Sequence, residues 1–312
     1  CIRDRSRAFE AGSHLSYGYQ QRSDEMTSVG VSVTSRGLLT LALVAGAFAL
    51  TESVVWAGAM MALAGGLTFG LFDLRRLGAG LREGDAPPHP SLRNVRRIAA
   101  ATLPLGGFAL LMSLTDNIPR LMLNSESGLA ELGVFAAFGY VVTGAMALTR
   151  ALDSAATPRI GRALADRDPA LLAERVRGLI VMSSMIGAAG LILAVTVGEP
   201  FLRVAFGSEF AAYSTEFVLM AVYAWMVLVF GGLTVALVAA RQFRVQLIVQ
   251  VVTVVVVSLA GIVLIPEHGL RGAVFSLLAG GAVRLVLTMI VVLDVIRSLR
   301  EPSDDLLGSS RG

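Results

Sequence analysis

The chain has 312 residues, of which 55% are apolar and 16% are charged, and its net charge is +3. Soluble globular domains carry about 25% charged residues, so this composition predicts a membrane protein. The net charge is too small to indicate a nucleic-acid partner. All 26 basic residues are arginine, which excludes every reaction and phosphate-binding loop that depends on lysine.

Long apolar runs occur along almost the whole chain. A helix needs about 20 residues, at 1.5 Å each, to cross a hydrocarbon layer of about 30 Å. The runs are continuous and do not alternate with polar residues, so they predict helices rather than barrel strands. We therefore expect an all-α, polytopic integral membrane protein with about eight transmembrane helices. The predicted spans are Val29–Leu50, Val54–Phe72, Ile98–Thr115, Leu129–Thr149, Val176–Val197, Phe217–Ala240, Val245–Ile265 and Leu270–Leu293.

The arginines predict the orientation of these spans. Positive residues are retained on the cytoplasmic side of a membrane. The connections on one side of the predicted spans hold only three arginines, Arg120, Arg203 and Arg271. The arginine-rich side is therefore expected to be cytoplasmic, and eight crossings place both chain ends on that side of the cell membrane. Because these arginines lie at helix ends, they do not form a nucleic-acid-binding patch. The arginine-rich side holds 22 arginines, in residues 1–37, 73–97, 150–177, 241–244 and 294–312.

The polar connections predict the domain organisation. We expect residues 1–91 to form the end of one helix bundle with two spans and a linker, residues 92–300 a six-helix bundle, and residues 301–312 a polar cytoplasmic tail. In the connection Arg150–Arg177, the Asp168-Pro169 pair indicates a turn. Apolar spacing on both sides of it predicts short helices at the membrane surface. The sequence begins with Cys1, and we expect it to lack an N-terminal part.

Arg284 is the charge that lies deepest in an apolar run. Gly272, Ser276, Gly280 and Arg284 recur every four residues and share one helix face. Arg284 lies about 14 Å from the cytoplasmic helix end at 1.5 Å per residue, and a central arginine is costly in lipid. The face is therefore expected to contact protein or water. Arg284 either contacts an anionic substrate in a hydrated central cavity or has a structural partner.

The third span ends with Asp116 and Arg120, four residues apart, and Pro119 is expected to disturb the helix there. Asp116 is a candidate site for proton or cation coupling. Alternatively, Asp116 and Arg120 neutralise each other at the outer interface, which is the interpretation that we favour. Arg150, at the cytoplasmic end of the fourth span, is expected to be an interfacial anchor or a substrate contact. Glu216 is expected to cap a helix.

Catalytic and metal-binding patterns do not stand out in the sequence. The three histidines are scattered and lack metal-ligand spacing, and no nucleophile elbow occurs. We therefore predict no catalytic residues, no metal site and no cofactor, and we do not expect an enzyme. Tyr223 and Trp225 are expected to serve in packing.

Several short motifs in a characteristic order resemble the polysaccharide-export flippases of the multidrug/oligosaccharidyl-lipid/polysaccharide (MOP) superfamily. Each is short, and together they extend over nearly the whole chain. They are Ala101–Gly107, Asp116 with Arg120, the Glu131-Leu-Gly-Val-Phe-Ala segment, Pro158-Arg-Ile, Phe206-Gly-Ser-Glu-Phe210 and Ile265–Ala273.

This resemblance implies part of a two-bundle transporter that is truncated at its N-terminus, with its second bundle starting near Leu92. The implied function is the flipping of lipid-linked oligosaccharide across the cell membrane by alternating access. Polyprenyl-diphosphate-linked oligosaccharide, membrane lipids and glycan polymerase or glycosyltransferase machinery would be its partners. Cationic residues that hold the headgroup would correspond to Arg284, Arg120 and Arg150.

Two other functions remain open. A multidrug or metabolite exporter of the same superfamily is expected to need a carboxylate deep within a helix, whereas the deepest charge here is an arginine. A non-transporting membrane scaffold subunit is the third possibility.

Overall fold

The computed structural model describes residues 26–70, 92–166 and 168–299, and these are almost entirely helical, without a strand. The last helical stretch consists of two helices, α7a (243–268) and α7b (270–298), that meet at Gly269, where φ is 54° and ψ is −128°. Counting these two separately gives eight α-helices among the described residues, which confirms the predicted fold class. The elements are α1 (Met26–Thr51), α2 (Val54–Thr68), α3 (Leu92–Glu126), α4 (Gly128–Ala165), α5 (Pro169–Phe206), a 3₁₀ helix (Ser208–Tyr213), α6 (Ser214–Ala239) and α7 (Phe243–Ser298).

The chain divides into two compact units, Cys1–Asn94 and Val95–Gly312. In the first unit, α1 packs against α2. In the second unit, α6 is the central helix, because it packs against α4, α5 and α7. The domain limits at residues 91 and 300 stay a prediction, and the tail 301–312 lies outside the described residues.

The helix surfaces are those of a membrane protein. Five helical stretches in the described part of the chain are long and apolar enough to cross a bilayer, and α2 is a shorter apolar helix. Large apolar side chains on these helices are exposed, among them Leu50, Leu129 and Val204 at 88%, 79% and 89%. Such a surface is unfavourable in water but suits lipid. The chain is therefore a multi-pass membrane protein.

The polar ends of α4 and α5 correct one prediction. The segments expected to form short surface helices are continuous with the spanning helices, and α4 runs through Pro158. Each helix has 38 residues, or roughly 57 Å at 1.5 Å per residue, so both extend well beyond a hydrocarbon layer of about 30 Å.

The start of α5 follows the expected turn. The Oδ1 atom of Asp168 accepts hydrogen bonds from the backbone N–H groups of Ala170 and Leu171, at 3.0 and 2.9 Å. Pro169 occupies the first helical position, where a missing N–H group costs nothing. Asp168-Pro169 is therefore a helix start that turns the chain directly from α4 into α5.

Glycines allow the helices of the second unit to pack closely. Gly187 on α5 lies directly against the indole of Trp225 on α6, so that a Cβ atom would overlap the ring. Gly190, less than one turn further along α5, has open space at the same position. The two residues therefore form a matched pair for testing the α5–α6 contact.

We expect Gly187→Ala to destabilise the purified protein by about 1–3 kcal/mol, because an added methyl group in a filled interface forces the helices apart. Gly190→Ala should be neutral or slightly stabilising, since alanine is the better helix former. Thermal unfolding in detergent measures both variants. Equal melting temperatures for the two variants would contradict the close packing of Trp225 on Gly187.

Candidate functional site

The break between α7a and α7b sets the direction of the helix that carries Arg284. Gly269 adopts a positive φ that favours glycine. The first backbone N–H of α7b, from Leu270, donates to the Oε2 atom of Glu131 on α4 at 2.7 Å. A carboxylate suits the positive end of a helix, where N–H groups lack helical partners. Glu131 thus supplies the cap of α7b from another helix.

A second carboxylate fixes α7b beside the break. The Oε1 atom of Glu216, which is 6% exposed, accepts a hydrogen bond from Arg271 Nε at 2.8 Å. Arg271 Nη2 also lies 2.8 Å from the same oxygen. Glu216 lies in the first turn of α6, where a carboxylate suits the positive helix end, and its side chain also forms this ion pair with α7b.

The small-residue face of α7b is buried. Gly272, Ser276, Gly280, Arg284 and Thr288 are all buried. Gly280 lies against Val257 of α7a, with no room for a Cβ atom. This face therefore contacts protein, as the cost of lipid exposure predicts.

Arg284 is enclosed by protein side chains. Its side chain is 2% exposed, and its Cζ atom lies 4.0 Å from the ring centroid of Phe230, a cation–π contact. Its Nη1 atom donates to the sulfur of Met112 at 3.4 Å, while its Nε atom has no partner. The expectation that Arg284 faces a hydrated cavity is not met in this conformation. The guanidinium is nevertheless incompletely hydrogen-bonded.

Asp116 is half-buried near two arginines. It interacts electrostatically with Arg284 and with Arg120, and Arg284 also interacts with the buried Tyr223. We call Asp116, Arg120, Tyr223 and Arg284 the central polar cluster. It has two guanidinium groups for one carboxylate. The sequence favoured a pair of Asp116 and Arg120 that neutralise each other. In the structure, Arg284 also interacts with Asp116, so that pair is not isolated.

The cluster borders a small, partly open cavity of about 50 Å³, lined by Asp116, Arg120 and Tyr223 among others. The Nε atom of Arg120 is buried and has no hydrogen-bond partner. A water molecule occupies about 30 Å³ in the liquid, so the cavity has room for water but not for a sugar diphosphate. The expected disturbance at Pro119 is absent, because α3 continues through it to Glu126.

Arg150 is separate from the central polar cluster. Met146, which lines the small cavity, lies one turn before Arg150 on α4, and the Arg150 side chain is exposed. Three of the four candidate residues, Asp116, Arg120 and Arg284, are thus brought together by the fold, whereas Arg150 is not.

A buried amide beside the cluster escaped the sequence analysis. Gln250 on α7a is 0% exposed, and its Nε2 atom donates to the hydroxyl of Thr115 on α3 at 2.7 Å. Its Oε1 atom has no partner. The spacing of Gln246, Gln250 and Thr253 in an otherwise apolar run could have revealed this polar face. It places further hydrogen-bonding capacity next to Asp116.

The described residues contain no group of three or more His, Cys, Asp or Glu side chains that could hold a metal ion. In the central polar cluster, the two guanidinium groups are candidate ligands for an anion, and the carboxyl group of Asp116 is the candidate proton carrier. The arrangement suits binding and charge compensation.

No family model matches the sequence. A curated relative, the capsular polysaccharide biosynthesis protein CapF of Staphylococcus aureus, is 21% identical over 280 residues, which cover 89% of this chain and 70% of the relative. This relationship is distant, and it extends over most of the chain.

Solved structures with a similar fold are MATE transporters. An inward-facing multidrug resistance MATE family transporter of the MOP superfamily superposes with a TM-score of 0.77 at 15% identity, over 93% of this chain and 69% of that one. An outward-facing conformation of such a transporter gives 0.71 at 16% identity, over 94% and 67%. A eukaryotic MATE transporter gives 0.72 at 15% identity, over 96% and 70%. The chain therefore has the multi-pass fold of MATE transporters.

Proposed function

We propose that the chain is a transporter that flips lipid-linked oligosaccharide across the cell membrane by alternating access. The observation that carries this proposal is the central polar cluster, in which Arg120 and Arg284 outnumber the carboxylate of Asp116. Guanidinium groups match the geometry of phosphate oxygens, so an excess of arginine favours a diphosphate headgroup. The distant capsular polysaccharide relative supports the same substrate class.

Transport requires the cluster to open in another conformation, because the cavity of about 50 Å³ beside it is too small for a headgroup. The contacts of Arg284 favour such a change. Besides its interactions with Asp116 and Tyr223, Arg284 has weak contacts with Phe230 and Met112. A phosphate would replace these two contacts with charge-assisted hydrogen bonds. The sugars would then lie in an aqueous cavity while the polyprenyl tail stays in the bilayer. Asp116 is the candidate coupling group.

A substrate comparison tests this function. The purified chain, reconstituted in liposomes, is supplied with a fluorescent polyprenyl-diphosphate oligosaccharide or with a cationic dye. We expect movement of the glycan lipid to the opposite leaflet, and no dye transport, because a cluster with excess positive charge repels cations. Protein-free liposomes give the background. Dye transport without glycan movement would contradict the proposal.

A multidrug or metabolite exporter is the second candidate. The carboxylate of Asp116 lies in the cluster beside Arg284, which supplies the intrahelical acid that an exporter would need. The similar folds include multidrug resistance transporters. The liposome comparison separates the two functions, because an exporter is expected to transport the dye and not the glycan lipid. A scaffold subunit is expected to move neither substrate.

The orientation in the cell membrane is also testable. We expect Asp166, in the exposed connection between α4 and α5, on the cytoplasmic side, and Glu209, after α5, on the outer side. Cysteines are introduced singly at these positions in a Cys1→Ser background. A membrane-impermeant thiol reagent applied to intact cells should label only the cysteine at position 209. Labelling at position 166 would reverse the proposed topology. Gly84 and Arg167, which the sequence also predicts to be cytoplasmic, lie outside the described residues.

A further inference from the structure

A large groove lies between the last turns of α4 and the first turns of α5, away from the residues of the central polar cluster. Its volume is about 780 Å³. Three arginines border it: Arg159 on α4, and Arg175 and Arg177 on α5. Their side chains are exposed, and none of them has an ion-pair partner within the described part of the chain. The groove also contains one acid, Glu174.

The rest of the groove lining is apolar. Leu152 and Ile160 contribute from α4, and Val181 and Met182 contribute from α5. Val181 and Met182 are 50% and 44% exposed. The groove therefore combines a cationic part with an uncovered apolar part, as an amphipathic ligand requires.

The order of charged and apolar residues along α4 and α5 indicates where the groove lies relative to the bilayer. On α4, charged residues begin at Arg150 and Asp153, and Arg159 lies about 9 Å beyond Asp153 at 1.5 Å per residue. On α5, Arg175 and Arg177 come just before the exposed apolar residues Val181 and Met182. We therefore expect the arginines at headgroup level and the apolar lining at the level of the acyl chains.

We propose that this groove binds an anionic glycerophospholipid of the cytoplasmic leaflet. The phosphate lies among Arg159, Arg175 and Arg177, and one acyl chain follows the apolar lining. Basic pockets between transmembrane helices on the cytoplasmic side are suited to anionic headgroups. A net excess of two positive charges in the groove distinguishes an anionic lipid from a zwitterionic one. The site is independent of the proposed transport substrate.

Gly178 offers a test of the groove that leaves its charge unchanged. A Cβ atom at Gly178 would meet nothing within 4 Å, and Gly178 lines the groove. Gly178→Leu therefore adds apolar volume to the groove at a position with room for the Cβ atom, and it removes no arginine. Arg162, on α4 but outside the lining residues, provides the matched charge control, and its Nε atom bonds only locally, to the carbonyl oxygen of Pro158 at 3.2 Å.

The experiment is a titration of the purified full chain in detergent, followed by native mass spectrometry. The probes are dioleoylphosphatidylglycerol, dioleoylphosphatidylcholine and inorganic phosphate. We expect saturable binding of the phosphatidylglycerol only. The double variant Arg175→Gln with Arg177→Gln should lower its affinity about 30-fold, since each arginine contributes about fivefold near a lipid surface. Gly178→Leu should lower it at least fivefold, and Arg162→Gln should change it less than twofold.

Three results would overturn the proposal. Equal binding of the two lipids would remove the role of the arginines. If Arg162→Gln lowered the affinity for phosphatidylglycerol as much as an arginine variant of the groove does, general surface charge would explain the binding. Inorganic phosphate that competes fully with the lipid would show a headgroup site without an acyl-chain groove. The melting temperatures of all variants are measured without added lipid. Unchanged values would show that a lower affinity does not come from unfolding.

Discussion

Arg284→Ala is expected to reduce export of lipid-linked glycan by about 10- to 100-fold, because a hydrogen bond to a charged group contributes about 1.5–3 kcal/mol. The folded yield of the variant should stay close to that of the unmodified protein. Asp116 interacts with Arg120 as well as with Arg284, so its carboxylate retains a positive neighbour. The measurements are glycan movement in liposomes and the amount of detergent-soluble, monodisperse protein.

Arg284→Lys separates charge from geometry. It keeps the positive charge but loses the planar fork that contacts two phosphate oxygens at once. We expect an intermediate rate, between those of the alanine variant and the unmodified protein. A structural arginine predicts a different result, in which Arg284→Ala lowers the folded yield and the remaining protein transports normally. That outcome would remove Arg284 from the proposed substrate site.

A thiol at position 284 tests whether the cluster opens. The native side chain is 2% exposed, so Arg284→Cys should react slowly with a water-soluble thiol reagent when the protein is locked in this conformation. Alternating access predicts faster labelling when the glycan lipid is added, because the helices must separate around the substrate. Labelling that stays slow under all conditions, together with normal export by Arg284→Ala, would contradict a central substrate cavity.

The helices could be predicted from the sequence because their determinants are local. Apolar runs located all eight α-helices of the described residues, and Asp168-Pro169 marked the start of α5 through its own cap. The helix lengths could not be predicted from hydropathy. The helical hydrogen bonds of α4 and α5 continue through polar sequence beyond the apolar spans, and hydropathy registers only the part that suits lipid.

For the candidate site, the sequence predicted which residues share one face of a helix, but not which helices that face contacts. Periodicity placed Arg284 on a buried face of α7b, but its contact with Met112 joins residues 172 positions apart. The bond from Leu270 to Glu131 spans 139 positions. Such contacts depend on how the helices pack, and residue spacing within one helix contains no information on that packing. The association of Asp116 with Arg284 required the fold.

Asp116→Asn is expected to lower the folded yield. The substitution leaves Arg120 and Arg284 without the nearby carboxylate that compensates their charge, in a half-buried site where solvent screens charges less than in bulk water. The double variant Asp116→Asn with Arg120→Gln should recover much of the loss, because one carboxylate and one guanidinium are removed together. Yield and melting temperature in detergent are the measurements.

The pair Glu199–Arg203 on α5 provides the control, since it has the same four-residue spacing. Its atoms are 2.6 Å apart, but the Arg203 and Glu199 side chains are 61% and 53% exposed. Exposed pairs contribute at most about 1 kcal/mol, so Glu199→Gln should leave the yield unchanged. If Asp116→Asn also keeps its yield but stops transport, charge compensation is not its main role. The carboxylate would then act in coupling, because an asparagine of nearly the same shape can neither bind nor release the proton that an aspartate exchanges.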